Sequence, residues 1–457
     1  MQRNLTQGSV TKSMLLFAYP MILGNLLQQF YNIADTLIVG RFIGPDALAA
    51  VGASFTLMTF LTSILLGLCM GSGVIFSMLY GGNKQDELKN YIFISFVITG
   101  IPAIAIEVLV LLFTNPLLKF LQIPTVLIPM TKSYLQIIFC GILFTFFYNF
   151  FAALSRSIGN STIPLAFLAL STALNIFLDL LFILVFSMGV SGAALATVLS
   201  QGISALLMIL YCLRHMPFLK LEKKHLYIHR NAVSQILQYS LLTCIQQSIM
   251  NFGILMVQGL VNSFGVTVMA AFAAAVKIDA FAYMPVQDFG NAFSTFIAQN
   301  YGANEKERIR SGIRSAIITA FSFSVLISLI VFAFAKELML LFVNASETEI
   351  LAVGIEYLHI EGACYCGIGC LFLLYGLYRG LGKPGISVVL TVISLGTRVA
   401  LAYLLAPIPS IGLPGIWWAI PIGWFLADAC GIGYYIILNH KKVSSTPQPP
   451  SPHSWGN

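Results

Sequence analysis

The chain has 457 residues, of which 58% are hydrophobic and 9% charged, whereas about a quarter of the residues in a soluble domain are charged. Its mean hydropathy of +0.88 therefore excludes a water-soluble globular protein and makes lipid the solvent. The net charge of +7 does not imply nucleic acid, because the basic residues cluster beside apolar runs, where they orient a membrane protein.

A bilayer core about 30 Å thick needs roughly 20 apolar residues per helix. A backbone crossing it must satisfy its own polar groups, which favours helices. Twelve runs qualify: 14–38, 47–78, 90–113, 128–153, 163–187, 191–213, 233–262, 267–299, 312–335, 350–377, 385–406 and 414–438. The first is too long and polar for a cleavable signal and is expected to be retained. In it Asn25, Gln28, Asn32 and Asp35 are spaced 3, 4 and 3 apart and share one face. Glu107 stands alone in the third span. Asn175 and Asp179 lie one turn apart in the fifth and meet on the same face.

A basic segment, 214–232, leads to the seventh span, where Ser240, Gln247, Asn251 and Gln258 share a face. In the eighth, Lys277, Asp288, Thr295 and Gln299 do so, with Phe281 and Met284 between them. Asp279 is two residues from Lys277 and points elsewhere. Either Glu356 or Glu361 of the tenth span is a candidate partner for Arg398 of the eleventh. The three polar stripes read as cavity lining, since intramembrane polar groups normally face a bundle interior or a wet cavity. The alternative is interhelical hydrogen bonding that only holds the bundle together. Past residue 440, the Pro/Ser-rich tail 441–457 is expected to be disordered. The eight cysteines lack zinc-site spacing and read as small packing residues.

With the N-terminus placed inside, eighteen lysines and arginines fall in inside segments and four in outside segments, while Lys277 and Arg398 lie within spans. That asymmetry orients the chain with both termini cytoplasmic. Asp35 and Asp179 then fall in the outer half of the membrane. Two close buried carboxyls there can take up a proton, or hold a sodium ion with help from Asn and carbonyl oxygens.

The two halves also match each other. Gly44-Pro-Asp-Ala-Leu-Ala-Ala50 aligns with Gly265-Val-Thr-Val-Met-Ala-Ala271 at an offset of 221, as Tyr80-Gly-Gly-Asn83 does with Tyr301-Gly-Ala-Asn304. Arg156-Ser-Ile-Gly159 matches Arg379-Gly-Leu-Gly382 at 223, and Gly189 and Gly192 match Gly412 and Gly415. Six spans per half is an even number, so the repeats have parallel topology, a plan found in secondary transporters. The expected organisation is 1–213 as a first lobe, 214–232 as a cytoplasmic linker and 233–440 as a second lobe. The counterparts of Asp35, Asn175 and Asp179 are Met256, Arg398 and Ala402, so the acidic constellation is expected in the first half only.

The run from Pro20 to Asp35, with Gly40, Gly44 and Ala47-Leu-Ala-Ala50 after it, resembles the first two helices of the multidrug and toxin extrusion (MATE) transporters. Gly192-Ala-Ala-Leu-Ala-Thr197 resembles their sixth helix. Ala271-Phe-Ala-Ala-Ala-Val-Lys-Ile-Asp279 and Ile297-Ala-Gln-Asn300 are similar to the MepA-like bacterial branch. The resemblance implies an all-α membrane protein with two six-helix lobes around a V-shaped cavity, working as a cation-coupled drug antiporter. It implies a first-lobe coupling-ion site at Asp35, Asn175, Asp179 and Thr197, with Asn149 and Tyr134. It leaves Asn25, Gln28, Asn32, Gln247, Asn251, Gln258, Lys277, Phe281, Met284 and Asp288 as cavity residues. A glutamate and an aspartate of some members are replaced by Gln246 or Gln247 and, near the tenth-span position, Ile368, which argues against a second-lobe sodium site.

The expected activity is export of organic cations across a bacterial inner membrane in exchange for H⁺ or Na⁺. No cofactor or nucleic acid is expected, no metal beyond sodium at Asp35, Asn175 and Asp179, lipid as surroundings, and a monomer. The alternatives are a flippase for lipid-linked precursors, an exporter of an endogenous metabolite, and a non-transporting scaffold or channel. No nucleophilic triad or P-loop points to an enzyme.

Overall fold

The computed structural model describes residues 4–120 and 123–444, and among these every regular element is helical. In the first half these are α1 (Val10–Phe42), α2 (Pro45–Gly81), α3 (Gln85–Leu112), α4 (Thr114–Phe120), α5 (Ile128–Phe139), α6 (Ile142–Ser157), α7 (Thr162–Leu180) and α8 (Gly189–His215). In the second they are α9 (Arg230–Asn262), α10 (Val266–Gly302), α11 (Lys306–Ala333), α12 (Ala335–Leu340), α13 (Thr348–Ala363), α14 (Tyr365–Gly380), α15 (Pro384–Leu405) and α16 (Gly412–Ser444). Ten of the described helices are individually long and apolar enough to cross a membrane. The pairs α5–α6 and α13–α14, bent by 42° and 52°, bring the number to twelve when each is one span.

The fourth and tenth runs are thus not straight, as their unbroken apolarity suggests. They break at Cys140–Gly141 and at Cys364, positions related by the repeat offset of 223. Two short helices, α4 and α12, also occupy related places. They are too short to appear in a hydropathy count. The final helix extends to Ser444, so the predicted tail boundary at 441 is corrected by four residues; residues 445–457 lie outside the described ones.

The backbone shows why the repeated motifs repeat. Gly44 and Gly265, capping α2 and α10, have φ of 122° and 101°. Asn83 and Asn304 have φ of 56° and 59°, Gly159 and Gly382 83° and 81°, and Gly189 and Gly412 59° and 53°. Positive φ strains most residues but not Gly, and Asn tolerates it. The matching positions are therefore the turns that both halves share.

Each half buries its own apolar cluster, the first around Phe76, Phe139, Phe146 and Phe150. The second surrounds Phe272, Tyr357 and Trp417. There the Phe272 and Trp417 rings stack 5.4 Å apart, with Tyr357 edge-on to Trp417 at 5.0 Å. A third cluster joins the start of the chain (Leu5, Met14, Phe17, Ala18) to Phe293, Phe296 and Leu377 of the other half.

In lipid, apolar surface gives helices little reason to associate, so small residues and polar contacts must hold them. The two halves meet in this way at the end bearing the basic loops. A Cβ on Gly81 would collide with the Gln299 carbonyl oxygen, and one on Gly302 with that of Met78. Gly81 and Gly302, like Met78 and Gln299, are repeat partners, so the contact is self-complementary across the pseudo-two-fold axis. Ser72 and Ser240 join their hydroxyls at 3.0 Å, and Gln299 Nε2 donates to the Ser157 carbonyl at 2.6 Å. Arg308 clasps the N-terminal segment through the carbonyls of Leu5, Gln7 and Gly8.

The linker is docked as well. Asn90 Nδ2 donates to the carbonyls of His225 and Tyr227, both at 2.8 Å. The His225 ring lies 3.0 Å from Asp86 Oδ1.

Candidate functional site

Four helices of the first half converge on a pair of carboxyls. The 3–4 spacing of α1 turns Asp35 inward, and that of α7 does the same for Asn175 and Asp179. Asp35 is 9% exposed, and Asn175 and Asp179 are fully buried. The Asp35 and Asp179 carboxyls face each other in direct contact. In the amide orientation that satisfies both its ends, Asn175 donates to Asp179 Oδ2 at 2.9 Å and accepts from the Thr197 backbone N–H at 3.2 Å. Oδ1 of Asp35 and Oδ1 of Asp179 meet no donor. Buried carboxylate oxygens without a partner are costly, so the pair suits a proton or a small cation. α7 passes directly after Asp179 into a π-helical turn, Leu181–Val185, a distortion frequent at functional sites.

Tyr134 of α5 is buried at the edge of this group, in electrostatic reach of both acids. Asn149 is not brought to it: its amide turns back on its own helix and donates to the Thr145 carbonyl at 2.8 Å. Tyr31 joins the group without having been singled out from sequence. Its hydroxyl lies 3.2 Å from Thr197 Oγ1, tying α1 to α8. The signal was present, since Tyr31 stands one turn before Asp35, but it is hard to see among 18 tyrosines and 35 phenylalanines.

The stripes are placed as follows. Asn25 Nδ2 donates to Asp288 Oδ1 at 2.6 Å, bridging α1 and α10. Gln29, not Gln28, reaches Met284, with Nε2 3.5 Å from its sulfur. Phe281 packs against Phe30 with ring centroids 6.4 Å apart. Gln28 and Asn32 are half-buried. Asn251 donates to the Gln247 carbonyl and Gln258 to Asn262 Oδ1, so these two spend their amides along α9. Lys277 does not join Asp288. It is exposed, with Nζ 6.0 Å from the Phe342 ring centre, beside Asn344 and Glu347.

The expectation that only the first half holds an acidic constellation is overturned. The second half buries Asp279 of α10 against Glu361 of α13, 6% and 1% exposed, with their carboxyls in contact. The Tyr357 hydroxyl is 3.5 Å from Asp279 Oδ2, and Arg398 of α15 lies within electrostatic reach. Glu361 rather than the exposed Glu356 therefore faces Arg398. Repeat offsets cannot reveal this, because the two acids stand at positions unrelated to Asp35 and Asp179; of the three, only Arg398 has its counterpart, Asn175, in the first-half group. Among the described residues no group of three or more His, Cys, Asp or Glu gathers as a metal cluster.

The MatE family model matches twice, over residues 20–181 and 240–404, once in each half. The chain is 32% identical to Probable multidrug resistance protein YpnP of Bacillus subtilis (strain 168) over 86% of this chain and 87% of that one. It is 25% identical to Multidrug export protein MepA of Staphylococcus aureus (strain MSSA476), over 96% of each. A crystal structure of MATE in complex with MaL6 superposes with a TM-score of 0.89 at 23% identity, covering 96% of this chain and 98% of that one. Twelve spans in two repeated lobes, with a doubled family match, make one conclusion plain: this chain belongs to the MatE family and is a multi-pass membrane transporter.

Proposed function

We propose that the protein is a secondary active antiporter that exports cationic, amphipathic compounds from a bacterial cytoplasm in exchange for a proton or a sodium ion. The observation that carries this reading is the contact between Asp35 and Asp179, each with an oxygen that meets no donor. Two carboxyls in contact resist joint ionisation. A shared proton removes the repulsion, and so does a sodium ion on their free oxygens, with Asn175, Thr197, Tyr31 and Tyr134 around it. The basic end faces the cytoplasm by the positive-inside rule.

The ion arrives from the outer end and neutralises the pair, and α1 and α7 stay closed on each other. Its loss to the cytoplasm restores negative charge, which draws a cationic compound into the cleft between residues 1–213 and 233–440. Asn25, Gln28, Asn32, Phe281, Met284 and Asp288 would meet it there, with Gln247, Asn251 and Gln258 on the facing helix. The linker 214–232 lets the lobes rock, and one chain suffices. The named relatives, described as multidrug resistance and export proteins, support this cargo class.

The test is ethidium movement in inverted vesicles under an imposed pH gradient and then an imposed sodium gradient. One gradient should drive transport, and Asp35→Asn and Asp179→Asn should abolish it at unchanged membrane abundance. Transport by Asp35→Asn at the normal rate would remove the coupling role.

A further inference from the structure

Between the two halves, near the end where they touch, lies a narrow cavity of about 50 Å³, far below the roughly 300 Å³ at which drug-sized pockets begin. Two arginines line it, Arg156 and Arg379, one from each half. They are repeat partners, each in the last turn of its helix. Arg379 is 5% exposed; its NH2 donates to Asn291 Oδ1 at 2.8 Å and its Nε to the Tyr375 carbonyl at 3.3 Å. Arg156, half-buried, lines the same space, and none of its five N–H groups has a protein hydrogen-bond or ion-pair partner among the described residues. A partly desolvated guanidinium with unfilled donors favours an acceptor beside it, and two guanidinium groups lining one cavity repel.

The acid in electrostatic reach is Asp288. It is committed to Asn25 through Oδ1, and Oδ2 has no partner. Its repeat counterpart is Gly67, so the position that would mirror it toward Arg379 carries no carboxylate. The group carries two positive charges and one negative, and a single monovalent anion would balance it.

We propose that Arg156 and Arg379 bind one small monovalent anion of halide size, which bridges the two lobes while their basic ends are closed. The guanidinium forks supply the donors that the anion needs. Because the arginines belong to different lobes, parting the lobes dismantles the site. An anion that binds only the closed arrangement stabilises it by mass action.

The experiment is thermal unfolding of the whole protein in nanodiscs, exchanging sodium gluconate for sodium chloride or bromide at constant ionic strength. A saturable rise in Tm with chloride and bromide is expected. Arg156→Gln and Arg379→Gln should lose it, whereas Arg310→Gln, on the exposed surface, should keep it. Asp288→Asn should tighten the apparent halide affinity about tenfold, because it removes a like charge from a poorly screened site. A Tm that follows ionic strength alone, or a halide response retained by both arginine variants, overturns the proposal. If the arginine variants do not fold, crystals of the unaltered protein grown in bromide decide: an anomalous peak between the two guanidinium groups is expected, and its absence overturns the proposal.

Discussion

The residues around Asp35 separate what spacing reveals from what contact adds. Asn175 and Asp179 are read as a pair because residues four apart on a helix meet. That Asp35 touches Asp179 follows from α1 lying against α7. Tyr31 completes the group through a hydroxyl contact with Thr197 at 3.2 Å. A hydrogen bond of this kind contributes about 0.5–1.5 kcal/mol. Tyr31→Phe should therefore raise the half-maximal coupling-ion concentration for efflux several-fold and leave the maximal rate near normal, as ion titrations of vesicle transport would show. Asn25 donates to the buried Asp288 at 2.6 Å. Asn25→Ala should lower stability by about 1.5–3 kcal/mol, the range for a bond to a charged group, measurable as a Tm decrease in detergent. An unchanged Tm would show that Asp288 is neutral or finds another donor.

Helices enter the function through where they bend and where they touch. The runs 128–153 and 350–377 look continuous by hydropathy, yet each breaks into two helices, because the break lies in backbone geometry and leaves apolarity unchanged. The crossing of α2 and α10 depends on Gly81 and Gly302, where any Cβ meets a carbonyl oxygen of the other helix. Gly302→Val should keep the lobes parted at the basic end and abolish efflux, with normal insertion. Cross-linking of cysteines placed at Met78 and Gln299 should fall in that variant, and full cross-linking would show that the lobes still close there. The linker offers a second test. Asn90→Ala leaves two carbonyls without their donor, and limited proteolysis should then cut within 214–232 much faster than in the unaltered protein.

For the molecule as a whole, charge and repetition carry the argument. By the distribution of lysine and arginine the basic end is expected to face the cytoplasm, and labelling tests this. In a variant stripped of its eight native cysteines, a cysteine replacing Lys306 should resist an impermeant maleimide on intact cells, and one replacing Lys336 should react. The reverse pattern would invert the direction of transport.

Hydropathy and turn chemistry are local and additive along a chain, so they made the twelve spans and the duplication readable from the residues. Even the positive-φ turns announce themselves, because only Gly and Asn fill them well. Proximity between side chains hundreds of residues apart has no such local signature. Asp279, Glu361 and Arg398 come from three helices, and neither spacing nor repeat offset joins them. Arg156 and Arg379 are visible as a repeated motif, but only the closure of one half on the other puts both in a single cavity. The reason is physical: in lipid, helix packing is selected by small residues and by polar groups that need partners. The partner a buried charge finds is therefore settled when the helices assemble.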